Sequence, residues 1–333
     1  MAFKRSRTTQ VLTIVGAVAV IAVMALGLPQ FNKGPAVTRI GITQIVEHPA
    51  LDASRDGFIQ RLAELGLEEG KNVEFAIQNA QGDMAIAQSI AAKFVSENVD
   101  MILAIATPTA QAAAKATQNI PIVITAVTDP VAAGLAGSIS KPGCNVTGTS
   151  DLTPVRKQLE LLTRILPEAE RVGVIYNAGE TNSLVQVDLA REAAENLGLL
   201  LVEVTVSSSS GVYEAAQSLV GRVDAVYVPT DNTVVSALES VIKVGEDSKI
   251  PVIVGEVDGV RRGALATIGI DYHVLGMQTA DIAWKILKGE KEPKDIPIEY
   301  LEDIQIALNL TAADKMEVSI PQDLIDEAYE VIR

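Results

Sequence analysis

Residues 105–112 read IATPTAQA, and this stretch decides the fold class of the chain. The apolar run that leads into it is continuous rather than alternating, as in a parallel strand that is buried on both faces. Thr107 is suited to the N-cap of a helix and Pro108 to its first turn, so we expect a helix to begin where the strand ends. The free N–H groups of that first turn, together with the helix dipole, would form a small anion-binding site.

A similar stretch occurs in the second half of the chain, where residues 225–233 read AVYVPTDNT. Here Asp231 places a carboxylate where the first stretch has only neutral groups. One turn that offers N–H donors and another that offers a negative charge are together suited to a zwitterionic ligand held between two domains. Each of these side chains also has a structural explanation, because Thr107, Thr109 and Asp231 are all good helix caps.

Strands and helices alternate along both halves of the chain. Residues 39–45 (RIGITQI) and 171–177 (RVGVIYN) resemble each other, and each opens a series of apolar strands and helical patterns. This alternation predicts an α/β fold with two parallel sheets that each carry helices on both faces. The sequence therefore indicates an internal duplication.

The end of the chain does not fit two domains in simple tandem. A helical pattern over residues 272–288 is followed by a strand pattern over 300–308 and a helical pattern over 321–332. We expect the first of these helices to return to the first domain and the last two elements to join the second. The result would be three crossings, which form a hinge beside a deep cleft. The predicted bounds are 38–148 with 272–297 for the N-terminal lobe, and 149–271 with 298–333 for the C-terminal lobe.

Composition and motifs argue against several classes of function. The formal net charge is -15 and no basic patch occurs, so neither a nucleic acid nor an anionic lipid surface is an expected partner. Cys144 is the only cysteine, which excludes an intrachain disulfide bond. The sequence has no nucleotide-binding glycine motif, no Cys/His cluster with metal-ligand spacing and no nucleophile elbow. We therefore expect a binding protein without a cofactor or metal rather than an enzyme.

The N-terminal segment has the features of a targeting signal. Lys4, Arg5 and Arg7 precede an apolar run over residues 11–28, which is long for the core of a signal peptide and just long enough to span a bilayer. Residues 1–37 are therefore predicted to be a signal peptide or membrane anchor plus a linker. The rest would be extracytoplasmic, either periplasmic or tethered to the outer face of the cytoplasmic membrane. No cysteine follows the run, so a lipid anchor is not expected.

Polar side chains cluster in the turns that follow the predicted strands. Open α/β sheets bind ligands at the carboxyl ends of their strands, so these turns supply the candidate binding residues. The candidates of the first domain and the crossover are Gln44, Glu47, His48, Thr107, Pro108, Thr109, Val127, Thr128, Asp129 and Ser150. Those of the second domain are Asn177, Asn182, Asp231, Asn232, Glu256 and Asp271.

Four segments resemble the substrate-binding proteins of ABC transporters, above all the subfamily associated with tryptophan or tyrosine uptake. They are residues 41–52, 105–112, 125–130 and 227–233. The resemblance covers residues 38–333 and implies the type I periplasmic-binding-protein fold. In that fold, two doubly wound lobes joined by a three-segment hinge close around a ligand. We expect a monomer that works with an ABC permease and, through it, with an ATPase subunit.

The resemblance also implies roles for some of the candidate residues. In related amino-acid binders, hydroxyl and backbone N–H groups of the first lobe hold the α-carboxylate, which matches Thr107, Thr109 and the turn of Val127 and Thr128. An acidic group of the second lobe binds the α-ammonium group, which matches Asp231.

Two points stay open at this level. The same fold also serves as a membrane-tethered ectodomain that senses a ligand, so sensing is the alternative to transport. The ligand is expected to be an amino acid, and an aromatic one is favoured only by the resemblance; a purine, a sugar and a branched amino acid remain alternatives. Aromatic residues make up 4% of the chain, and the candidates for stacking on a ligand are Tyr176, Tyr227, Tyr272 and Phe31.

Overall fold

The computed structural model describes residues 37–333 of the chain. The predicted targeting segment, except for its last residue, and Phe31 lie outside the described residues. Within residues 37–333, no helix is both long and apolar enough to cross a membrane.

Strands and helices alternate through most of this described part. The strands are β1 (Thr38–Gln44), β2 (Val73–Asn79), β3 (Met101–Ile105), β4 (Ile122–Thr125), β5 (Val146–Ser150), β6 (Arg171–Tyr176), β7 (Leu200–Thr205), β8 (Ala225–Val228), β9 (Val252–Val254), β10 (Ala266–Gly269), β11 (Glu299–Tyr300), β12 (Gln305–Asn309) and β13 (Glu330–Ile332). The helices are α1 (Pro49–Glu64), α2 (Met84–Ser96), α3 (Thr107–Ala116), α4 (Val155–Ile165), α5 (Thr181–Leu197), α6 (Val212–Leu219), α7 (Asn232–Val235), α8 (Leu238–Ser248), α9 (Val257–Arg261), α10 (Tyr272–Leu287), α11 (Leu310–Met316) and α12 (Gln322–Glu327). Short 3-10 helices span Ser209–Gly211 and Pro293–Asp295.

The elements form two lobes, each built on its own sheet and its own hydrophobic core. The first sheet has the strand order β11-β5-β4-β3-β1-β2, and all its strand pairs are parallel. The second has the order β13-β12-β10-β9-β8-β6-β7, and only β12 runs antiparallel to its neighbour β10. The α/β fold with two parallel-sheet lobes is therefore confirmed.

The two sheets share one doubly wound topology. The first contains the run β2-β1-β3-β4-β5 and the second the equivalent run β7-β6-β8-β9-β10. In each sheet the direction of winding reverses where the first strand of the lobe lies beside its third. Ligands of open α/β sheets bind at this switch point, outside the carboxyl ends of the strands. The molecule therefore has two equivalent sheet edges of this kind, one in each lobe.

The chain passes between the sheets three times, after β5, after β10 and after β11. The first and third crossings come slightly later than the sequence bounds of 148 and 297. The reason is that β5 and β11 pair with each other through Ser150 and Tyr300, so both strands stay in the first sheet to their last residues. The predicted strand over 300–308 is accordingly divided between β11 and β12.

The predicted final helix over residues 321–332 is wrong in its second half. Helix α12 ends at Glu327, and the chain then forms the edge strand β13. The backbone N–H of Tyr329 donates to the carbonyl oxygen of Ile306 at 2.9 Å, and β13 continues the pairing with β12. Residues 330–332 therefore pair with the sheet instead of continuing the helix that the local sequence pattern predicts.

Helix α10 is fixed to the first lobe by close contact with α1. A Cβ atom added to Gly276 would lie 1.9 Å from the carbonyl oxygen of Ser54, and one added to Gly57 would lie 2.1 Å from that of His273. Only glycine permits this approach of the two helix backbones. The contact sets the position of Tyr272, the first residue of α10, beside the hinge.

Candidate ligand-binding site

The carboxyl ends of the two sheets face each other across a cleft that contains two spaces. An inner cavity lies beside the hinge and an outer chamber adjoins it; their empty volumes, which include space open to solvent, are about 310 and 1020 Å³. Residues of both lobes line each of them. The inner cavity is narrow, because the side chains that line it fill most of its space. A ligand of amino-acid size would therefore have to shift some of these side chains or hold the lobes slightly apart.

The inner cavity brings together predicted residues from five separate turns. They are His48, Thr128, Asn182, Asp231, Asn232 and Glu256. Four of the five turns follow β1, β4, β8 and β9, and Asn182 lies in the first turn of α5, which follows β6. Six predicted residues thus line one cavity, and their role in ligand binding stays a prediction.

Three residues that line this cavity each have one buried polar atom without a hydrogen-bond partner among the described residues. These atoms are Nδ1 of His48, Oδ1 of Asn182 and Oε1 of Glu256. The three residues are 7%, 3% and 2% exposed. More than about 90% of buried polar groups in proteins are hydrogen-bonded, so unpaired groups from both lobes on one cavity indicate a site for a polar ligand.

The carboxylate of Asp231 is occupied by groups of its own lobe. Its Oδ2 accepts the backbone N–H of Asn177 and the hydroxyl of Ser183, both at 2.6 Å. Its Oδ1 accepts the backbone N–H of Val234 at 2.8 Å, which makes Asp231 the N-cap of α7. Burial and the nearby Glu180 carboxylate raise the pKa of Asp231 above its ordinary value. The capping explanation is thus confirmed, and Asp231 also faces the cavity.

Glu180 lines the outer chamber and bonds to residues that line the inner cavity. Its carboxylate accepts hydrogen bonds from the side chains of Asn182, Asn232 and Thr233. Asn232 lines both the inner cavity and the outer chamber, whereas Glu180 lines the outer chamber. A second buried carboxylate is therefore held close to Asp231 at the junction of the two spaces.

Glu256 and His48 have unusual protonation equilibria. Burial, reinforced by the Asp258 carboxylate, raises the pKa of Glu256 from 4.5 to about 7. Burial, reinforced by the Arg262 guanidinium, lowers the pKa of His48 to about 3. Both shifts follow from the cost of placing a charge in a medium of low dielectric constant. At neutral pH His48 is uncharged, and Glu256 is poised to lose or retain its proton.

The hinge side of the cavity is closed by a hydrogen-bonded group that the sequence prediction missed. Asp151 lies in the first crossing and Tyr272 directly after the second. The hydroxyl of Tyr272 donates to Oδ2 of Asp151 at 2.5 Å, and the hydroxyl of Thr128 donates to Oδ1 at 3.0 Å. Burial raises the pKa of Asp151 despite these bonds. The group links two of the three crossings at the wall of the cavity.

The turn after β3 differs from the prediction. The N-cap of α3 is Ala106 rather than Thr107, because the backbone N–H of Ala106 still pairs with Thr125 of the neighbouring strand and the helix begins directly afterwards. The Thr109 hydroxyl donates to the carbonyl oxygens of Ile105 and Ala106, at 2.6 and 3.0 Å. Its hydrogen is therefore not available to a ligand carboxylate.

Two adjacent turns of the first lobe have strained backbones. Ala106 has a φ angle of 80° and Ala126 one of 55°, a region that residues other than glycine rarely occupy. Such conformations cost about 1–3 kcal/mol each and cluster at functional sites. Ala126 lines the inner cavity, and Thr107, directly after Ala106, has a buried hydroxyl oxygen without a partner. These features give the first-lobe edge of the cleft two strained turns and one unpaired hydroxyl group.

Several predicted residues are used inside the protein instead. Asp129 and Asp271 accept backbone N–H groups of the turns that follow them, and Ser150 donates to the carbonyl oxygen of Thr128 at 2.8 Å. The side chain of Gln44 bonds within the first lobe. None of these four predicted residues is among those that line the inner cavity or the outer chamber.

The remaining predicted residues divide by position. Pro108 and Asn177 line the outer chamber. Val127 is fully buried, and Glu47 is exposed. Of the aromatic residues considered for stacking, Tyr272 alone among those in residues 37–333 lines the inner cavity.

The sequence contained signals that could have identified three cavity residues absent from the prediction, namely Asp151, Tyr272 and Thr230. Asp151 ends the polar segment that was expected to cross between domains, and Tyr272 starts the helix that was expected to return. Residues at both crossings must lie beside the hinge, and hence beside the inner end of the cleft. Thr230, which also lines the cavity, lies next to Asp231 in the same motif. No group of acidic, histidine or cysteine side chains in residues 37–333 has the arrangement of a metal site.

Comparisons with known proteins agree on one family. The family described as "ABC transporter substrate binding protein" matches residues 39–332. The chain is 48% identical over 283 residues to a "Tyrosine-binding protein" of Clostridioides difficile, which covers 84% of this chain and 82% of the relative. A solved ABC domain in complex with L-Trp from Streptococcus pneumonia is 33% identical, with a TM-score of 0.86 over 89% of this chain and 100% of that one.

A further comparison bears on the arrangement of the lobes. The ligand-free, open structure of a substrate binding protein with adhesive properties from Clostridium difficile is 47% identical, and the match covers 89% of this chain and 99% of that one. Its TM-score is nevertheless only 0.67. The less identical L-Trp complex therefore superposes better on this chain than the open protein does. The chain belongs to the ABC transporter substrate-binding proteins and has their type I periplasmic-binding-protein fold.

Proposed function

We propose that this protein captures an amino acid of the tyrosine and tryptophan type in the cleft between its lobes and delivers it to an ABC permease. The family supports the role of substrate-binding protein. The ligand class is supported by relatives that are described as binding tyrosine or as complexed with L-Trp.

The observation that carries this proposal is the set of unpaired polar atoms on the inner cavity. His48 belongs to the first lobe, and Asn182 and Glu256 belong to the second. A ligand that bonds to all three would bridge the lobes and supply the partners that the folded chain does not provide. The wall also contains Leu51, Val235 and the ring of Tyr272, which suit an apolar ligand body.

The two ends of a zwitterion would bind to opposite lobes. For the carboxylate we propose the backbone N–H groups of Thr107 and Thr109 in the first turn of α3, together with the turn of Val127 and Thr128. First-turn N–H groups of a helix have no partner within the helix and interact favourably with anions. For the ammonium group we propose an acidic residue of the second lobe.

Closure of the lobes would depend on the ligand. Among residues 37–333, two side-chain hydrogen bonds join the facing lobes: Gln111 to Thr181 at 3.4 Å and Gln186 to Thr128 at 3.5 Å. Both are long for hydrogen bonds and are expected to be weak. A ligand shifts such an equilibrium only by binding the closed form more tightly than the open form. Contacts from both lobes to one amino acid would provide that difference.

The proposed location of the protein is outside the cytoplasm, and its proposed partners are the other subunits of an ABC transporter. Substrate-binding proteins of this family work outside the cytoplasm, and we propose that residues 1–37 either direct export or tether the protein to the outer face of the membrane. The protein would act as a monomer, without a catalytic step, and hand its ligand to the permease, which the ATPase subunit drives.

A thermal-shift screen tests the proposal. The panel contains the twenty amino acids, nucleosides and common sugars. A ligand at about a hundredfold excess over its Kd should stabilise the protein by roughly 2.7 kcal/mol. We expect a clear rise in melting temperature with L-tyrosine or L-tryptophan. A rise with a sugar or nucleoside and with neither of these amino acids would contradict the proposed ligand class.

A further inference from the structure

We propose that Glu256, rather than Asp231, is the carboxylate that binds the ammonium group of the ligand, and that the inner cavity therefore selects ligands with a free primary amine. This inference rests on the proposed function and deepens it. It reverses the assignment that family resemblance alone would suggest.

Asp231 has little capacity left for a ligand. A carboxylate offers about four acceptor positions. Three of those of Asp231 are filled by Asn177, Ser183 and Val234, at 2.6 to 2.8 Å. Turning this side chain toward a ligand would uncap α7 and release the hydrogen bonds that join it to the turn after β6. Its geometry is that of a residue that organises the binding turns.

Glu256 is held in the opposite way. Its Oε2 accepts the backbone N–H of Gly259 at 2.9 Å and thereby caps α9. Its Oε1 has no partner, although the residue is only 2% exposed and lines the cavity. A Cβ atom on residue 259 would lie 2.8 Å from this Oε1, so the glycine leaves space for the carboxylate. One oxygen anchors the side chain, and the other is left for a ligand.

Two further acceptors complete a set that matches an ammonium group. The side-chain N–H₂ of Asn182 donates to Glu180, Ser183 and the carbonyl oxygen of Thr230, which fixes its Oδ1 as the free atom. The Nδ1 of neutral His48 is an acceptor in the tautomer that carries its proton on Nε2. A primary ammonium group has three N–H donors, and three residues that line the cavity each have one unpaired acceptor, that of Glu256 being a carboxylate oxygen.

The charge around the cavity also favours a cation. Three carboxyl groups line it, those of Asp151, Asp231 and Glu256. The cation that affects Glu256 and His48 is Arg262; its Nε and Nη2 donate to the carboxylate of Glu239 at 2.8 Å, whereas its buried Nη1 has no partner among residues 37–333. A ligand ammonium group would favour the ionised form of these carboxyl groups, and closure would strengthen the attraction because it removes water.

Calorimetric titration of Glu256→Gln tests the assignment. Glutamine keeps the size of the side chain and an acceptor for the N–H of Gly259, but it removes the charge. We expect the affinity for L-tyrosine to fall by about 10- to 150-fold, the equivalent of about 1.5–3 kcal/mol for a hydrogen bond to a charged group. The matched control is Asp258→Asn, which removes a neighbouring charge that does not line the cavity and should not weaken binding.

Binding of tyrosine analogues that lack a free ammonium group tests the same assignment without a variant. Wild-type protein should bind N-acetyl-L-tyrosine and the des-amino analogue 3-(4-hydroxyphenyl)propionate far more weakly than L-tyrosine. The des-amino analogue should also fail to distinguish wild type from Glu256→Gln, because it has no ammonium group for the carboxylate to bind. Circular dichroism confirms that each variant is folded.

The outcomes separate the inference from the function on which it rests. If wild-type protein binds neither L-tyrosine nor L-tryptophan, the proposed function fails. If it binds L-tyrosine and N-acetyl-L-tyrosine within about threefold of each other, or if Glu256→Gln binds L-tyrosine as tightly as wild type does, the inference is overturned. A selective loss of L-tyrosine binding in Asp231→Asn, with normal binding in Glu256→Gln, would return the role to Asp231.

Discussion

Replacing Glu256 with glutamine should stabilise the ligand-free protein at alkaline pH even though it weakens binding. The pKa of Glu256 is raised from 4.5 to about 7, chiefly by burial. Between these pH values the native state binds more protons than the unfolded state. The contribution of Glu256 to the free energy of unfolding is therefore fully present below pH 4.5 and is lost as the pH rises through 7. The difference of about 2.5 units, at 1.36 kcal/mol per unit, corresponds to roughly 3 kcal/mol.

The assay is urea unfolding of wild type and Glu256→Gln at pH 5 and pH 8, without ligand. Asp151 and Asp231 also have raised pKa values, but they titrate in both proteins and largely cancel in the comparison. The stability advantage of the variant should grow by roughly 2–3 kcal/mol between the two pH values. If the free energies of unfolding of the two proteins changed equally with pH, the reasoning would be refuted, because ionisation of Glu256 would then not destabilise the native state.

Three further substitutions test other parts of the structure. Asp231→Ala should lower the free energy of unfolding by about 1–2 kcal/mol through loss of the α7 cap, and an unchanged urea midpoint would contradict that role. Tyr272→Phe removes one donor from buried Asp151 and should cost about 1–3 kcal/mol, whereas a neutral result in thermal unfolding would indicate that the bond is dispensable. Gly276→Ala should cost about 1–3 kcal/mol or more because its Cβ would meet the Ser54 carbonyl; retention of the wild-type melting temperature would show that α1 and α10 can separate freely.

Much of the fold could be predicted because it depends on repeated local patterns. Continuous apolar strands that alternate with helices require a covered parallel sheet, and the similarity of residues 39–45 and 171–177 indicated that the arrangement occurs twice. The last part of the chain was harder, because β11 and β13 are short edge strands. Their existence depends on pairing with β5 and β12, and such pairing is not visible in local propensity.

The position of the candidate cavity was predictable from the sequence, but the contacts of its individual side chains were less so. Strand ends of a doubly wound sheet must meet at one edge, and for that reason His48, Thr128 and Glu256 were found. Whether a side chain faces a ligand or its own backbone depends on hydrogen-bond geometry that the sequence does not encode locally. Thr109 illustrates this, since its hydroxyl donates backwards to the preceding carbonyl groups. The free oxygen of Glu256 could be recognised only from the structure.

A crystal structure of the protein with L-tyrosine would test the central claim most directly. We expect the amino acid in the inner cavity, in contact with both lobes, with its ammonium nitrogen within hydrogen-bond distance of Glu256 Oε1, Asn182 Oδ1 and His48 Nδ1. The carboxylate should point toward the turns that follow β3 and β4. A ligand bound outside the cleft, or one with its ammonium group away from these three atoms, would contradict the account.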